Sequence, residues 1–427
     1  MRWFKVRRPL PKGFFRNCAI LLSVLGPGFI TANVDNDAGG IATYSMAGAA
    51  PWGYACLWTI LPVLCILILA QEMGARMGAV TGKGLADLIR EQFGVKLTFY
   101  LMAALLIANI GNTVAEFAGI AAGMELLGSG HFFASKYVSV PLCASFVWIL
   151  VVKGSYKGVE KVFIVASLFY VTYLVSGYLA QPAWLDVGRA IVRPPVQFTA
   201  NYLYMLVGII GASVAPWMQF YLQSAIVEKE VTAESYPLAR LDVIIGCVMS
   251  CTVAFFIIVA CGSTIGKHGI QIDSAAEAAI ALKPLAGEYC AVLFAFGLFI
   301  ASLFAASILP LSTAFTICEG LGWETGVNKT FKEAPQFYGL YTAIIICGAA
   351  SVLWPRLPYF QVMLFSQVLN GLLLPAILFG MLWLINRREL MGEFTNSRRL
   401  NIFGGAACVT LLLLNGTLVV LWLLERN

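Results

Sequence analysis

The sequence predicts an all-α polytopic membrane protein. Of its 427 residues, 60% are hydrophobic and 12% are charged, about half the charged fraction of a typical soluble protein. The mean hydropathy is +0.83, and apolar runs of about 20 residues, each long enough to cross a bilayer, recur from end to end. We therefore expect no soluble domain, and neither an enzyme nor a nucleic-acid-binding protein.

Hydropathy and helix-breaking residues predict eleven spans. They lie at 17–47, 53–78, 97–127, 137–153, 160–181, 197–227, 238–263, 286–320, 336–354, 360–386 and 401–424. The basic segment 1–16 is not followed by a small-residue cleavage site, so we expect it to be retained.

The distribution of Lys and Arg predicts the orientation in the membrane. With the N-terminus inside, the cytoplasmic segments carry 21 of the 28 basic residues. Because basic residues concentrate in cytoplasmic loops, the sequence predicts a cytoplasmic N-terminus. The C-terminus is then expected outside, since the number of predicted spans is odd.

Spans 1 and 6 are each interrupted by polar or helix-breaking residues. The interruptions are NVDNDAGG at 33–40 and GASVAPWMQ at 211–219. Interruptions at corresponding positions of two halves indicate a substrate site near the midplane in transporters built from inverted repeats. The sequence therefore predicts one transport domain with a first repeat at 17–181, a second at 197–386 and an additional span at 401–424.

The first interruption offers carboxylates. We expect Asp37 to bind a cation, because acids inside a span are usually functional; the alternative is a protonated or helix-capping Asp37. Asp35 is expected to line the aqueous approach or to contact the ion, and Asn36 to hydrogen-bond across the break. Gly39 and Gly40 would supply the backbone freedom that the break requires.

The second interruption offers carbonyl oxygens. Pro216 lacks an N–H and disfavours helix at Ala215, so the carbonyls of Ala212 and Ala215 are expected to face the ion. Both histidines, His131 and His268, lie in predicted outer loops. A site made of oxygens suits Mg²⁺, Ca²⁺ or Mn²⁺, and small residues at positions 40 and 215 would leave room for a partly hydrated ion.

Four segments resemble the NRAMP family of divalent-metal transporters. They are GPGFITANVDNDAGGIATYSMAGA (26–49), QEMGARMGAVTGKGLADLIREQFG (71–94), GASVAPWMQFYLQSAIV (211–227) and FSQVLNGLLLPA (365–376). The family's Asp-Pro-Gly-Asn signature falls at residues 37–40. The resemblance covers nearly the whole chain and implies the LeuT-type fold: two inverted five-helix repeats with spans 1 and 6 broken at the midplane, plus an eleventh span.

The resemblance also implies a set of metal-binding positions. The family's metal-binding Asp is kept as Asp37, its carbonyl ligand falls at Ala212 and its tenth-span Gln falls at Gln367, which would approach the ion or bond between helices. Its Asn and Met ligands are replaced by Gly40 and Ala215, so the soft sulfur is lost. This pattern resembles the NRAMP-related magnesium transporters, a prokaryotic branch of the family.

The family's proton-pathway positions are altered as well. Its two sixth-span histidines correspond to Trp217 and Gln223. The acid of span 3 corresponds to Thr113, while its companion remains as Glu116, which would relay protons or bond between helices. An inserted residue in this part of the alignment adds further candidates for the metal site or its vestibule, which are Trp217, Met218 and Gln219.

The expected function is alternating-access uptake of Mg²⁺, and also Mn²⁺, across the bacterial inner membrane. With few groups left to carry a proton, we expect uncoupled transport driven by the membrane potential, worth about 4.6 kcal/mol per 100 mV for a dication. No cofactor is expected, and no partner beyond the ion and the lipid bilayer is expected to be obligatory.

Several alternatives stay open. One is a proton-coupled Mn²⁺/Fe²⁺ transporter of the NRAMP type. Another is an amino-acid carrier of the same fold, although Asp35 and Asp37 would repel a substrate carboxylate. An intramembrane aspartyl protease needs two catalytic Asp residues on separate spans, and the chain has no GxGD motif. A channel or a sensor is a further possibility.

Overall fold

The structure, a computed structural model, describes residues 26–128, 131–153, 170–272, 288–354 and 358–425. Within these ranges, all regular secondary structure is helical. The α-helices, numbered in chain order, are α1 Pro27–Val34, α2 Ala38–Gly48, α3 Ile60–Thr81, α4 Leu85–Phe93, α5 Val95–Leu127, α6 Lys136–Lys153, α7 Val171–Leu179, α8 Trp184–Val192, α9 Ala200–Ser213, α10 Pro216–Glu228, α11 Tyr236–Thr264, α12 Glu288–Leu321, α13 Pro335–Leu353, α14 Tyr359–Ile385, α15 Arg388–Met391 and α16 Arg398–Glu425.

Nine segments of the described chain are long and apolar enough to cross a membrane. They confirm predicted spans 2 to 4 and 6 to 11, mostly to within three residues, although span 2 begins at Leu57 rather than at residue 53. The protein is therefore a multi-pass membrane protein. The fifth predicted span lies partly outside the described residues, and its described part contains α7.

The first predicted span, 17–47, begins outside the described part of the chain, which starts at residue 26. Its described part contains α1, which begins at Pro27, and α2. Proline is well placed at the first helical position because its fixed φ suits the helix and its missing N–H is not needed there. The hydropathy pattern alone does not register this start.

Two amphipathic helices, α4 and α8, were not predicted from the sequence. Each is nine residues long, and each carries one Asp in its first turn and one Arg in its last turn. Acidic residues near the start and basic residues near the end of a helix complement its dipole. Their mixed composition hides them from a search for apolar runs.

The broken spans lie in the middle of the helical bundle. In the span Ala200–Glu228, which contains α9 and α10, 94% of the most apolar 18-residue stretch is buried. The corresponding share in Arg398–Leu424 is 28%. Since α16 keeps most of its apolar surface exposed, it lies at the periphery and faces lipid. α1 and α2 pack on α11, and α2 also packs on α9 and α14.

A buried polar cluster ties the end of α3 to two distant segments. Arg76 donates hydrogen bonds to Glu72 at 3.0 Å, to Asn396 and to the Phe394 carbonyl at 3.2 Å, while the Tyr236 hydroxyl donates to Glu72. Because both charged groups are buried, this ion pair is more than a solvated surface contact. It fixes α3 against α11 and the segment that leads into α16.

Candidate cation site

Two chain breaks lie at the centre of the bundle. The first covers only Asp35, Asn36 and Asp37, between α1 and α2. The second covers Val214 and Ala215, between α9 and α10. Both breaks occur where the sequence predicts them, but they are shorter than the interrupted segments 33–40 and 211–219.

Asp37 caps the second half of the first broken span. Its Oδ1 accepts a hydrogen bond of 2.6 Å from the Gly40 N–H, and its backbone carbonyl accepts one of 2.8 Å from Ile41. The structure therefore shows Asp37 capping a helix, as one of the alternatives from the sequence expected. A cap uses one carboxylate oxygen and stabilises negative charge at the helix start, so it is compatible with cation binding by the same group.

Gly39 and Gly40 were expected to give the break its backbone freedom, but in the structure they allow close approach of neighbouring groups. Both lie inside the first turn of α2 rather than in the break. A Cβ at Gly39 would lie 2.0 Å from Nε2 of Gln367, and one at Gly40 would lie 2.6 Å from the Asp35 carbonyl oxygen. Glycine is thus required for close approach, because a side chain would displace the amide or the carbonyl.

Glu116 on α5 reaches the same helix start. Its Oε2 accepts a hydrogen bond of 3.1 Å from the N–H of Ala38, the residue next to Asp37, which places its carboxyl group beside that of Asp37. Both carboxyl groups are buried. The N-terminus of α2 therefore holds two acidic groups side by side, and Glu116 makes the hydrogen bond between helices that was one of the two expectations for it.

Gln367 on α14 contacts one helix of each broken span, α2 and α9. Its amide lies against Gly39, and its backbone carbonyl is 1.9 Å from where a Cβ at Gly211 would stand. Asn370 donates a 3.0 Å hydrogen bond to its Oε1, and the Asn370 and Asn112 amides exchange two hydrogen bonds of 3.2 Å. The amide of Gln367 is thus both placed at the site and oriented by its neighbours.

The remaining residues of the first break face α11. The Asn36 amide donates to the carbonyl and to the hydroxyl of Ser250, at 3.3 and 3.2 Å. Asp35 is buried, and its Oδ2 has no hydrogen-bond partner in the described structure. The expected hydrogen bond of Asn36 across the break is therefore made to a third helix.

The second break releases the carbonyl oxygen of Ala212. Ala215 is extended, with φ −64° and ψ 139°, and Pro216 is the first residue of α10. The carbonyl of Ala212 lacks its usual i+4 donor because that residue is Pro216, which has no N–H. The Ala215 carbonyl accepts a hydrogen bond of 3.2 Å from the Met218 N–H. Both alanines are buried, so the two carbonyls are enclosed in the bundle rather than hydrated by bulk water.

Tyr44 and Ser213 join the two broken spans, and sequence reasoning did not single them out. The Ser213 hydroxyl donates to the Ile209 carbonyl at 2.9 Å, so the Tyr44 hydroxyl donates to Ser213, at 2.8 Å. Polar residues in apolar spans were the available signal. The same signal marks Asn112 and Asn370, but only the folded chain shows which polar groups meet.

The other predicted positions lie around the site rather than in its centre. Thr113 donates to the Asn109 carbonyl, Ser312 donates to the Trp217 carbonyl, and the Gln223 amide donates to the Lys83 carbonyl, beyond the end of α3. Met218 and Gln219 are fully buried in α10. Gln223 therefore lies away from the break. The start of α10, at Pro216, directly follows it.

The donor set is rich in oxygen. Among the residues that the structure describes, no group of three or more His, Cys, Asp or Glu side chains is placed to hold a metal ion. A cation at this site would therefore combine few carboxylates with amide and backbone oxygens, the ligands that suit Mg²⁺, Mn²⁺ and Ca²⁺.

The fold and the site define a class, namely helical membrane transporters in which two broken spans meet at a buried carboxylate. The chain belongs to the Nramp family, described as natural resistance-associated macrophage protein-like, whose family profile matches residues 28–421.

Two curated relatives show the extent of the similarity. The chain is 27% identical over 427 residues to a protein of Yersinia pestis (strain Pestoides F) named divalent metal cation transporter MntH, with 97% of both chains covered. It is 29% identical to the protein of the same name from Deinococcus radiodurans, over 96% of this chain and 91% of that one.

Solved structures confirm the predicted LeuT-type fold. The Eremococcus coleocola manganese transporter matches with a TM-score of 0.71 and 22% identity, over 95% of this chain and 87% of that chain. The nucleobase-cation-symport-1 family transporter Mhp1 matches with a TM-score of 0.61 and 14% identity, over 94% and 91%. MhsT in complex with L-phenylalanine matches with a TM-score of 0.63 and 15% identity, over 93% and 97%.

Proposed function

We propose that the protein transports a divalent metal cation by alternating access, with the ion bound between the two breaks. The observation that carries this proposal is the buried position of Asp37, at the start of α2 and beside Glu116 and Gln367. Membership of the Nramp family supports it, as do relatives named divalent metal cation transporter and manganese transporter. The ligands we assign to the ion are Asp37, Gln367 and the carbonyls of Ala212 and Ala215.

The substrates we propose are Mn²⁺ and Mg²⁺. The names of the relatives favour Mn²⁺. Mg²⁺ is favoured by Ala215 and Gly40, since neither offers a soft or side-chain ligand. The space beside Gly40 is taken by the Asp35 carbonyl, so we assign any water kept on the ion to the side of Ala215.

Proton coupling separates two candidate mechanisms. The first is uncoupled uptake, supported by Thr113, Trp217 and Gln223, which replace the titratable residues of the resemblance. The second is coupled uptake, favoured by the contact between Asp37 and Glu116 at the start of α2. Two adjacent buried carboxyl groups can share a proton, and a cation arriving at Asp37 would displace it.

A single experiment tests both parts of the proposal. Proteoliposomes containing the purified protein, a luminal metal indicator and a luminal pH dye are given Mn²⁺ or Mg²⁺ from outside, under an inside-negative potential. Metal entry at constant luminal pH supports uncoupled transport, whereas acidification in proportion to metal entry supports the coupled mechanism.

Two variants serve as controls for this experiment. Asp37→Asn should abolish the metal signal while the protein still reconstitutes. Glu116→Gln should leave metal entry and remove any proton signal if Glu116 carries the proton. The same potential should drive K⁺ into control liposomes. If it does so while the unmodified protein admits neither Mn²⁺ nor Mg²⁺, the proposed function is refuted.

A further inference from the structure

A buried carboxylate on α11 holds the start of α1. Asp242 is 2% exposed. Its Oδ1 accepts hydrogen bonds from the N–H groups of Gly26 and Phe29, at 2.8 and 3.1 Å, and its Oδ2 accepts one of 2.8 Å from Gly28. Three backbone donors thus converge on one side chain that is more than 210 residues away in sequence.

α1 has no cap of its own. Its N-cap residue Gly26 has no side chain to accept a hydrogen bond, and its first residue, Pro27, has no N–H. The first N–H groups of a helix have no intrahelical partner and are costly to bury unbonded. Asp242 therefore supplies from another span the cap that the local sequence lacks.

Close backbone contact reinforces this attachment one turn further along α11. A Cβ at Gly246 would lie 2.7 Å from the Cα of Phe29, and one at Gly28 would lie 2.8 Å from the backbone of Val243. Contacts this short leave no space for any side chain. The start of α1 is thus seated directly on the backbone of α11.

The other end of α1 contacts the same stripe of α11. Asn36, in the break, donates to Ser250, and residues 242, 246 and 250 recur at the i, i+4 spacing that lines one helix face. α1 is therefore an eight-residue rigid piece with a non-helical connection at one end and the Asp242 cap at the other.

Alternating access requires part of this arrangement to separate. Asp35 and Asp37 are buried, so an ion between the breaks can leave only if an enclosing element moves. Because α1 is short and its link to α2 is not helical, it can move without bending a continuous helix. Its movement requires the three hydrogen bonds to Asp242 to break.

We propose that Asp242 is a positioning residue for transport: by capping α1 it holds the closed arrangement, and its release opens the site on the side of α1. This inference rests on the proposed transport function. It assigns to Asp242 no contact with the ion.

The test combines hydrogen exchange with transport in the full-length protein. Asp242→Asn removes the charge and one acceptor but keeps the size of the side chain. Amide exchange in a peptide covering residues 26–34 should become about fivefold faster, as for the loss of a helix cap. Exchange in α12 should not change. Initial Mn²⁺ uptake should rise about threefold, because opening on the α1 side becomes easier.

Two further variants make the result specific. Gly246→Ala pushes the backbone of Phe29 away without altering the carboxylate, and it should produce the same local exchange and the same rise in uptake. Glu319→Gln removes another buried carboxylate, on α12, and should leave exchange at 26–34 unchanged.

The outcomes separate positioning from structural support. Faster exchange confined to residues 26–34 together with faster uptake supports the proposal. Faster exchange throughout the protein, or uptake that is unchanged or slower in both variants, overturns it. If the unmodified protein transports neither Mn²⁺ nor Mg²⁺, the proposed function fails, while the exchange of residues 26–34 still shows whether Asp242 holds α1.

Discussion

Asp37 combines two demands in one side chain. Its Oδ1 caps α2 through the Gly40 N–H, and its carboxyl group is buried beside Glu116. A buried carboxylate without a charged partner is costly, whereas the positive end of a helix and an arriving cation both lower that cost. The residue is therefore suited to bind a cation in a place where bulk water is excluded.

We predict that Asp37→Asn lowers metal uptake by at least about 100-fold. Loss of a group that only supports a metal ligand costs about 10- to 100-fold, and loss of a ligand should cost no less. Asn can still cap the helix, so the melting temperature should change little. Initial uptake rates and thermal unfolding of both proteins measure these effects; uptake that persists near the original rate would mean that the site is misplaced.

We predict that Ala215→Met shifts selectivity from Mg²⁺ towards Mn²⁺ and Cd²⁺ by about tenfold, because a thioether is a soft ligand. Gly40→Asn should add to this shift only if the Asp35 carbonyl moves away, since a Cβ at position 40 would lie 2.6 Å from it. Competition assays with pairs of ions measure the ratio. Ala215→Leu, which adds volume without sulfur, is the control, and an equal shift in that variant would contradict the prediction.

Broken helices are the elements that create this site. α1 and α2, like α9 and α10, each leave backbone groups without helical partners at the break. At the first break, the Ala38 N–H donates a hydrogen bond to Glu116. At the second break, the Ala212 carbonyl has no helical donor, because Pro216 lacks an N–H. α14 contacts both broken spans through Gln367, at Gly39 of α2 and at Gly211 of α9.

We predict that Gly39→Ala acts through Gln367. The added Cβ would lie 2.0 Å from Nε2 of Gln367, the end of a flexible side chain that can move away. Apparent metal affinity should fall several-fold with little loss of stability. In a double-mutant cycle with Gln367→Ala, the two effects should be far from additive. Additive effects would show that Gly39 matters for another reason.

We predict that Gly211→Ala destabilises the protein by about 1–3 kcal/mol, the usual cost of overpacking. Its Cβ would lie 1.9 Å from the backbone carbonyl of Gln367 and 2.4 Å from the backbone nitrogen of Gly371, and a backbone cannot move as a side-chain end can. Gly380→Ala, on the same helix as Gln367, meets nothing within 4 Å and is the control. Similar melting temperatures for both variants would contradict the close packing of α9 on α14.

At the scale of the whole molecule, the distribution of charge predicts the orientation. With 21 of 28 basic residues in segments assigned to the cytoplasmic side, the N-terminus is expected inside and the C-terminus outside. Metal entry would then follow the membrane potential. The boundaries of the two inverted repeats, 17–181 and 197–386, likewise stay predictions.

This orientation can be tested with terminal tags in spheroplasts, whose outer membrane has been removed. An epitope fused to the N-terminus should be inaccessible to antibody until the membrane is permeabilised, and one fused to the C-terminus should be accessible in intact spheroplasts. The same epitope is used at either terminus, so that the two proteins can be compared directly. Antibody against a cytoplasmic protein shows whether the membrane is intact. An exposed N-terminal tag would contradict the predicted orientation.

The sequence determined which segments cross the membrane, which two spans break, and that Asp37 stands at a break. These features follow from local composition: apolar length sets a span, and Pro216 or clustered polar residues interrupt a helix. The resemblance of residues 26–49 and 211–227 added the family and the LeuT-type fold, both confirmed. Helices α4 and α8 were missed because their charged residues interrupt the apolar pattern.

Only the tertiary structure decided which polar groups meet. Glu116 reaches Asp37 across 79 positions of sequence, Tyr44 bonds to Ser213, and Asp242 caps α1, whereas Gln223 turns away to Lys83. Each polar residue was visible in the sequence as an exception in an apolar span. Its partner was not, because hydrogen bonds and close backbone contacts between helices depend on how the helices pack and not on the residues next to them in the chain.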